Sequence, residues 1–306
     1  MQFTIDKPSL TKALAHVASV VERRNTIPIL SNVHLATRNN ELKLTSTDLD
    51  MEIVETVPCR AKGEGATTVP AHMFHDIVRK LPDGTDIELA RDGDQGRLTI
   101  ACGSARFSLQ TLPADDFPSL SIDDLGHAFT LPAAELKRLI DKTRFAISTE
   151  ETRYYLNGIY LHAAESEGKP TLRAVATDGH RLAQVELPLP PGAKDMPGVI
   201  VPRKTVAELA KLVEDDDGDV RVELSPAKIR VTTARVVLTS KLIDGTFPDY
   251  ERVIPQGNDK TMEVDNQAFA QAVDRVSTLS SDKGRAVKLS LQDGKLVLSV
   301  NNPDSG

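Results

Sequence analysis

Three short clusters contain the side chains that could carry out chemistry. The run Asp178-Gly179-His180-Arg181 holds a carboxylate and an imidazole two positions apart, a combination that could transfer protons as an acid–base pair. No nucleophile motif of the Gly-x-Ser-x-Gly type accompanies it, and the chain contains neither a P-loop nor a Gly-x-Gly-x-x-Gly run. An enzyme that uses Asp178 and His180 is therefore an alternative with few residues to support it.

The other two clusters have metal-binding residue types without metal-binding spacing. His72-x-x-His75 lacks the glutamate and the helical i, i+4 spacing of zinc peptidases. The run 215–219, Asp-Asp-Asp-Gly-Asp, lacks the spaced ligands and closing glutamate of a calcium loop, so we interpret it as an acidic hairpin turn. Cys59 and Cys102 form no Cys-x-x-Cys pair and are too few for a disulfide framework, which favours a reducing compartment. We therefore predict no catalytic residue, no metal site and no cofactor.

Formal charge is distributed unevenly along the chain. The whole sequence carries −7 at pH 7, which argues against attraction to nucleic acid through net charge. Four predicted helices together carry +8, so the rest of the chain carries −15. Ordinary solvated helix faces would explain this pattern, and so would helices turned toward a polyanion, because phosphate contact needs only a basic face. The four predicted helices are Lys7–Arg24, Pro70–Lys80, Ala133–Arg144 and Arg203–Val213, while a fifth, Asp265–Val276, carries −1.

The elements that must position these residues recur about every 130 residues along the chain. Each repeat opens with a short strand that leads into an amphipathic helix, and a Val-Pro pair opens a second helix. The matching positions are Phe3, Phe129 and Met262, then Thr47-Asp48 and Thr177-Asp178, Val69-Pro70 and Val201-Pro202, and Phe117-Pro118 and Phe247-Pro248. Alternating runs predict strands at Glu41–Thr47, Arg97–Ala101, Ala105–Leu109, Val220–Leu224, Lys228–Thr232 and Val236–Ser240.

This organisation predicts an α+β fold of tandem repeated domains, each with two helices on one face of antiparallel sheets. The predicted domains are 1–126, 127–255 and 256–306. The third repeat stops at Asn301-Asn302-Pro303, soon after its first hairpin, so we expect the complete protein to extend beyond this point.

Neither a signal peptide nor a membrane span is predicted. The N-terminus lacks a basic start followed by an apolar core. The longest uncharged stretch, Asn25–Thr37, has 13 residues, whereas a span needs roughly 20 mostly apolar ones. We therefore predict a soluble, cytoplasmic protein.

Several runs in combination make the chain resemble the bacterial sliding clamps, the beta subunits of DNA polymerase III. The resemblance covers all 306 residues, and the three clamp domains of that family agree with the repeat. The runs that carry it are Thr26-Ile27-Pro28-Ile29-Leu30, Arg106-Phe107-Ser108-Leu109, 111–118 (Thr-Leu-Pro-Ala-Asp-Asp-Phe-Pro), 153–158 (Arg-Tyr-Tyr-Leu-Asn-Gly), Thr177-Asp178-Gly179-His180-Arg181-Leu182, Val201-Pro202-Arg203-Lys204 and Phe247-Pro248-Asp249-Tyr250.

The resemblance implies a homodimeric ring of six domains around double-stranded DNA, with helices lining the hole and sheets forming the outer wall. Such a ring tethers the replicative DNA polymerase to its template and so confers processivity without sequence-specific DNA contact. It is opened by an ATP-driven clamp loader and also docks other replication and repair proteins. The clamp itself hydrolyses nothing, so the resemblance implies neither enzyme activity nor a cofactor.

The resemblance also places the subunit and DNA contacts. It puts one half of the dimer interface on the edge strand Arg106–Leu109, with Phe107 as the apolar anchor. The other half falls on Thr278, Leu279 and a predicted strand Leu296–Asn301. Arg24, Arg153, Tyr154 and Tyr155 are the implied DNA contacts, to which the helix charges add Arg203, Arg79 and Lys80.

A pocket for short linear motifs of partner proteins is implied on domain two, at its junction with domain three. Its apolar and polar residue types suit a peptide, since leucines and a valine can line a cleft while histidine and arginines donate hydrogen bonds. The domain-one run Thr47-Asp48-Leu49-Asp50 lacks the Gly-His-Arg sequence, so we expect one pocket per chain. The matching residues are Leu156, Thr177, Gly179, His180, Arg181, Leu182, Pro248, Arg252 and Val253.

Overall fold

The structure, a computed structural model, describes residues 1–92, 96–120, 125–214, 216–280 and 286–302. They divide into two units, Met1–Pro248 and Asp249–Gly306. The first unit contains the first two repeats, and the second contains the third. Across the described ranges, no helix is both long and apolar enough to cross a membrane.

The first strand and helix show why each repeat opens as it does. β1 (Gln2–Asp6) leads directly into α1 (Lys7–Val20), and the Asp6 carboxylate caps the helix by accepting the Ser9 N–H at 2.9 Å. The apolar residues spaced three and four apart face the core, as predicted, so that α1 is held by packing rather than by propensity alone. The fully buried members of this stripe are Leu10, Leu14 and Val17.

Domain one completes its repeat with eight more strands and one helix. α2 (Ala71–Lys80) begins immediately after a Val-Pro pair and buries Phe74 and Val78 on one face. The strands are β2 (Asn32–Arg38), β3 (Glu41–Thr47), β4 (Met51–Pro58), β5 (Arg60–Gly63), β6 (Gly65–Pro70), β7 (Asp86–Asp92), β8 (Arg97–Cys102) and β9 (Ala105–Gln110).

Domain two repeats this order. Its helices are α3 (Ala133–Asp141) and α4 (Arg203–Leu212), which begin after Pro132 and Pro202. Its strands are β10 (His127–Pro132), β11 (Gly158–Ser166), β12 (Lys169–Thr177), β13 (Leu182–Pro188), β14 (Val199–Pro202), β15 (Asp219–Leu224), β16 (Lys228–Thr232) and β17 (Val236–Lys241).

The two domains share one sheet. Among the described residues of the first unit, the antiparallel strands form a five-stranded sheet (β5-β1-β7-β8-β9), a four-stranded sheet (β13-β12-β11-β14) and an eight-stranded sheet (β10-β15-β16-β17-β4-β3-β2-β6). The eight-stranded sheet crosses from domain two to domain one where β17 pairs with β4, with Val237 opposite Val54 and Leu238 opposite Ile53. This pairing, the interdomain seam, makes the junction a continuation of the sheet.

Four helices form a row on the first unit. α1 packs against α2 and α4, and α4 packs against α3, giving the order α2-α1-α4-α3. The Ser19 hydroxyl of α1 donates to the Glu208 carboxylate of α4 at 2.5 Å, so a polar contact joins the helices of the two domains. The four predicted helices are therefore neighbours, but within their observed bounds they carry +5 and not +8, because α1 and α3 end four and three residues earlier than predicted and α3 is neutral.

The second unit opens as the other repeats do. α5 (Asn266–Ser277) is capped by Asp265, whose carboxylate accepts the Ala268 N–H at 2.7 Å. β18 (Lys288–Gln292) and β19 (Lys295–Ser299) then form an antiparallel hairpin. The strand predicted at Leu296–Asn301 is therefore one residue late at its start and two residues too long.

The alternating runs predicted strand positions closely. β3 and β16 have the predicted bounds, and the other four predicted runs differ from β8, β9, β15 and β17 by one residue at one end. The acidic run 215–219 is not a hairpin turn. It connects the end of α4 to β15, where Asp216 accepts the Gly218 N–H at 2.8 Å, while Asp215 lies outside the described residues.

Gly158, the first residue of β11, has no room for a side chain. A Cβ added there would lie 2.2 Å from the carbonyl oxygen of Val201 on the paired strand β14. We expect Gly158→Ala to reduce the free energy of unfolding by about 3 kcal/mol, because backbone atoms cannot move aside without breaking the ladder. Urea denaturation should show this as a lower midpoint.

The matched control is Gly63→Ala in β5, where an added Cβ meets only the Gln2 nitrogen at 4.0 Å. That change should alter stability by no more than about 0.5 kcal/mol. Equal midpoints for the two variants would contradict the packing at Gly158.

Candidate functional sites

The Thr177–Leu182 turn, between β12 and β13, is built by its own Thr-Asp pair. Asp178 Oδ1 accepts the N–H groups of His180 and Arg181, both at 3.0 Å, and Oδ2 accepts Arg181 Nε at 3.0 Å. The Thr177 hydroxyl accepts the Gly179 N–H at 3.1 Å and donates to the Arg181 carbonyl at 2.8 Å. These bonds satisfy the turn's backbone and present the side chains of residues 180 and 181 outward.

Domain one uses the same Thr-Asp device, so this part of the motif is structural. Asp48 Oδ1 accepts the N–H groups of Asp50 and Met51 at 3.0 and 2.7 Å. The turn requires a positive φ at its third residue, which is +87° at Gly179 and +75° at Leu49. Glycine adopts this conformation without strain, whereas leucine does not. The glycine therefore relaxes the domain-two turn, and its missing Cβ leaves room for the Arg153 guanidinium, whose Nη1 lies 2.5 Å from where that Cβ would be.

The structure does not support the alternative in which Asp178 and His180 act as an acid–base pair. The backbone N–H of His180, followed by the other bonds to Arg181, lowers the pKa of Asp178 to about 2, so its carboxylate is fully ionised at neutral pH. Within the described ranges, no hydrogen bond joins this carboxylate to the His180 imidazole; the bond goes to the backbone instead. The pair is therefore a turn-forming arrangement.

The predicted pocket residues of the first unit differ in exposure. Gly179, His180, Arg181 and Pro248 are exposed, and Thr177 and Leu182 are half-buried. Leu156 is only 4% exposed, so its side chain is buried and offers little open surface to a peptide. Arg181 lies over the Phe145 ring, with its guanidinium carbon 5.6 Å from the ring centroid. Phe145 is 56% exposed and was not among the predicted residues.

Arg252 and Val253 belong to the second unit. They lie in a short 3-10 helix, Tyr250–Val253, and both are exposed, Val253 by 70%. Arg252 Nε is 2.6 Å from a carboxylate oxygen of Asp249. Their membership of the pocket stays a prediction.

The segment Arg153-Tyr154-Tyr155 lies next to the turn. Arg153 is engaged twice by Glu150, with its Nε 2.8 Å from Oε2 and its Nη2 2.6 Å from Oε1. Its Nη1 lies 2.5 Å from the position that a Cβ on residue 179 would occupy. Arg153 is thus a neighbour of the Thr177–Leu182 turn with its charge already paired, while Tyr154 is 53% exposed.

The other predicted DNA contacts are surface cations on or beside the helix row. Arg24 lies just beyond the end of α1, Arg203 is the first residue of α4, and Arg79 and Lys80 end α2. Arg79 pairs with Asp76 at 3.3 Å. Within the described ranges, no ion pair engages the exposed side chains of Arg24, Arg203 or Lys80, so these three charges are available.

Lys204 makes an interdomain contact that the sequence analysis did not predict. Its Nζ lies 2.5 Å from Asp48 Oδ2 and 3.2 Å from Glu22 Oε1, which joins α4 to domain one beside the interdomain seam. Burial acts to lower the pKa of Lys204, but the hydrogen bonds and charges of Asp48 and Glu22 outweigh burial and raise it. The repeated Thr-Asp pair could have indicated this contact. Asp48 uses Oδ1 for the turn, so its Oδ2 is left to accept from another donor.

The predicted edge strand is confirmed as an edge. β9 lies at one side of the five-stranded sheet, paired only with β8 among the described strands. Arg106 and Phe107 are exposed, Phe107 by 41%, and Phe107 lines a cleft of about 530 Å³ with Met73 and Ile77 of α2. Leu109, by contrast, is only 5% exposed and its side chain belongs to the hydrophobic core, so its place in the interface stays a prediction.

Thr278 and Leu279 directly follow α5 in the second unit. Leu279 is 52% exposed, and Thr278 Oγ1 donates to the Asp274 carbonyl at 3.3 Å. An exposed leucine at a helix end is the kind of anchor that a subunit interface uses. Its place in the interface stays a prediction.

Comparisons with known proteins match the chain along its whole length. Family models of the DNA polymerase III beta subunit match residues 1–121 (N-terminal domain), 130–249 (central domain) and 251–306 (C-terminal domain). The beta sliding clamp of Caulobacter vibrioides is 54% identical over 306 residues, which cover 100% of this chain and 82% of the relative. That of Escherichia coli K12 is 43% identical, with 99% and 81% covered.

Solved structures agree with these sequence relatives. A sliding clamp (DNA polymerase III subunit beta) from Bartonella birtlesii, bound to griselimycin, is 55% identical with a TM-score of 0.95 over 100% of this chain and 82% of that one. The DNA polymerase III subunit beta from Pseudomonas aeruginosa is 43% identical with a TM-score of 0.91 over the same shares. The repeated domains, the shared sheet and these matches together show that the chain belongs to the bacterial beta sliding clamps, the beta-subunit family of DNA polymerase III.

Proposed function

We propose that two copies of this protein close head to tail into a ring around duplex DNA and hold the replicative polymerase on its template. The observation that carries this proposal is the interdomain seam. There, β17 of domain two adds to β4 of domain one, so the protein already uses sheet continuation as its way of joining domains.

The repeat supplies the remaining edges of the ring. β9 lies 131 positions before β17, and β13 lies 131 positions after β4, so β9 and β13 are the counterparts of the two strands that meet at the seam. Both counterparts end their sheets among the described strands. An open edge strand recruits a complementary edge, so β9 of one copy can receive domain three of the next, which would join copies head to tail into a ring where the rotation closes.

The row of helices α2-α1-α4-α3 supports the proposal that the ring encloses DNA. Arg203 and Lys80 on its helices and Arg24 just beyond α1 are exposed cations without an ion pair among the described residues, and phosphate contact by such side chains is independent of base sequence. Weak, salt-sensitive contact of this kind suits a protein that must slide.

The Thr177–Leu182 turn supports docking of partners. Its exposed glycine backbone, His180 and Arg181 beside half-buried Leu182 suit a short, partly apolar peptide motif carried by the polymerase, the clamp loader or repair proteins. The proposal includes no catalysis by the clamp itself, and it places the protein with the replication machinery in the cytoplasm.

The test is topological. Full-length protein should be loaded onto nicked circular DNA with a bacterial clamp loader and ATP, then separated from free protein by gel filtration. We expect retention on the circle at a salt concentration that abolishes ordinary phosphate contacts, and loss after a restriction enzyme linearises the DNA. Equal retention on circular and linear DNA would contradict encirclement, because a bound protein that does not surround DNA is indifferent to DNA ends.

A further inference from the structure

An ion pair between Glu150 and Arg153 lies beside the Thr177–Leu182 turn, and the proposed function gives it no role. Both carboxylate oxygens of Glu150 accept hydrogen bonds from Arg153: Oε2 from Nε at 2.8 Å and Oε1 from Nη2 at 2.6 Å. This two-bond geometry is typical of strong arginine–carboxylate pairs. The hydrogen bond from Arg153 lowers the pKa of Glu150, and the same bond raises the pKa of Arg153. The two charges therefore hold each other at neutral pH.

The backbone around the pair is fixed by its own loop. The Glu150 N–H donates to the Ser148 hydroxyl at 3.2 Å, and Asn157 Nδ2 donates to the Glu150 carbonyl at 3.2 Å. The Ser148 N–H donates to the Leu156 carbonyl at 3.1 Å, which closes the loop. The backbone of Glu150 is thus anchored independently of Arg153, which sets the place from which its carboxylate reaches Arg153.

In this paired position Arg153 also lies against the Thr177–Leu182 turn. It has a non-helical φ of −110° and ψ of 51° at a kink between two short helical turns. Its Nη1 then occupies the space above Gly179, 2.5 Å from the site of a would-be Cβ. The side chain is 34% exposed, so it could otherwise swing into solvent.

We propose that Glu150 is a positioning residue that assigns Arg153 to the rim of the peptide-binding turn and withholds it from DNA. The inference rests on the proposed function, since it concerns the division of one arginine between two surfaces of the clamp. With the pair intact, the segment 153–155 offers DNA its tyrosines but not its charge. Without Glu150, Arg153 becomes a free cation next to exposed Tyr154.

Glu150→Gln tests this directly, because it keeps the side-chain size and removes the charge. DNA affinity should be measured by fluorescence anisotropy with a labelled primed-template duplex over a series of KCl concentrations. We expect a salt slope steeper by about 1, as one more phosphate contact gives. Affinity for a labelled peptide copied from the replicative polymerase tail should fall by about 3- to 10-fold, because the unpaired Arg153 side chain no longer keeps one orientation beside the turn.

Glu151→Gln is the matched control. It removes the same charge from the next position, where the exposed carboxylate has no ion pair among the described residues. We expect an unchanged salt slope and unchanged peptide affinity. An equal effect of both variants would overturn the inference, since bulk charge would then be sufficient.

The double variant Glu150→Gln/Arg153→Gln identifies the cation responsible. We expect its DNA salt slope to return to the wild-type value, and a slope that stays steep would overturn the role of Arg153. If the wild-type protein binds DNA and peptide, and Glu150→Gln changes neither the salt slope nor the peptide affinity, this inference is overturned and the proposed function stands. Wild-type protein that bound neither probe would overturn the proposed function as well. Melting temperatures should match for all variants, because every substituted side chain is on the surface.

Discussion

Phe107→Ala should convert the full-length ring dimer to monomer at concentrations where the wild type stays dimeric. Phe107 is the large apolar side chain of the open edge strand β9 and is 41% exposed over a cleft that α2 leaves unfilled. An aromatic anchor at the centre of an interface contributes at least about 2 kcal/mol. The proposed ring has two identical interfaces, so the change acts twice, and we expect dissociation to become easier by at least about 30-fold per interface.

Analytical ultracentrifugation over a dilution series would measure this shift. Ile27→Ala is the matched control, because Ile27 is similarly exposed, at 46%, in the loop that follows α1. It should leave the dimer intact. A Phe107→Ala protein that melted earlier but sedimented as a dimer would show that Phe107 only completes the domain-one core.

Leu182→Ala and Arg181→Ala should each weaken binding of a polymerase-tail peptide by at least about 10-fold, which corresponds to about 1.4 kcal/mol. Leu182 is half-buried at the start of β13 and offers apolar surface beside the exposed Gly179 backbone. Arg181 is held by Asp178 and by the Phe145 ring, so its guanidinium is pre-oriented for a peptide carbonyl or carboxylate.

Isothermal titration of the peptide into full-length protein would measure both affinities, with dimer state and melting recorded alongside. Leu49→Ala is the control on the equivalent turn of domain one, where the side chain is 39% exposed but no Gly-His-Arg sequence follows. It should bind the peptide as the wild type does. Wild-type affinity in both Leu182→Ala and Arg181→Ala would remove the pocket from this turn.

The sequence by itself determined the repeat, the helices and many strands. Apolar residues three and four apart in α1, and alternation in β16 and in the first half of β3, encode local geometry because each period belongs to one kind of element. Proline after valine marked where α2 and α4 begin. Strands such as β12 were not predicted, because six consecutive residues of β12 are buried and its sequence therefore does not alternate between apolar and polar residues.

Repeated residues also indicated what was structural and what was particular to one domain. The Thr-Asp pair occurs in both repeats and builds the same turn in both, whereas Gly179-His180-Arg181 occurs only in domain two. The family resemblance therefore placed the candidate pocket at this turn, and the comparison of repeats predicted one such pocket per chain.

Only the tertiary structure decided which strands and charges meet. Alternation assigns a side chain to a face but does not name the neighbouring strand, so the pairing of β17 with β4 and the open edge at β9 were decided by packing. The same limit explains Leu109, which shares its face with Phe107 yet lies where the core covers it. Arg153 depended on loop closure, because the sequence shows two neighbouring acids, and only the folded loop selects Glu150 as its partner.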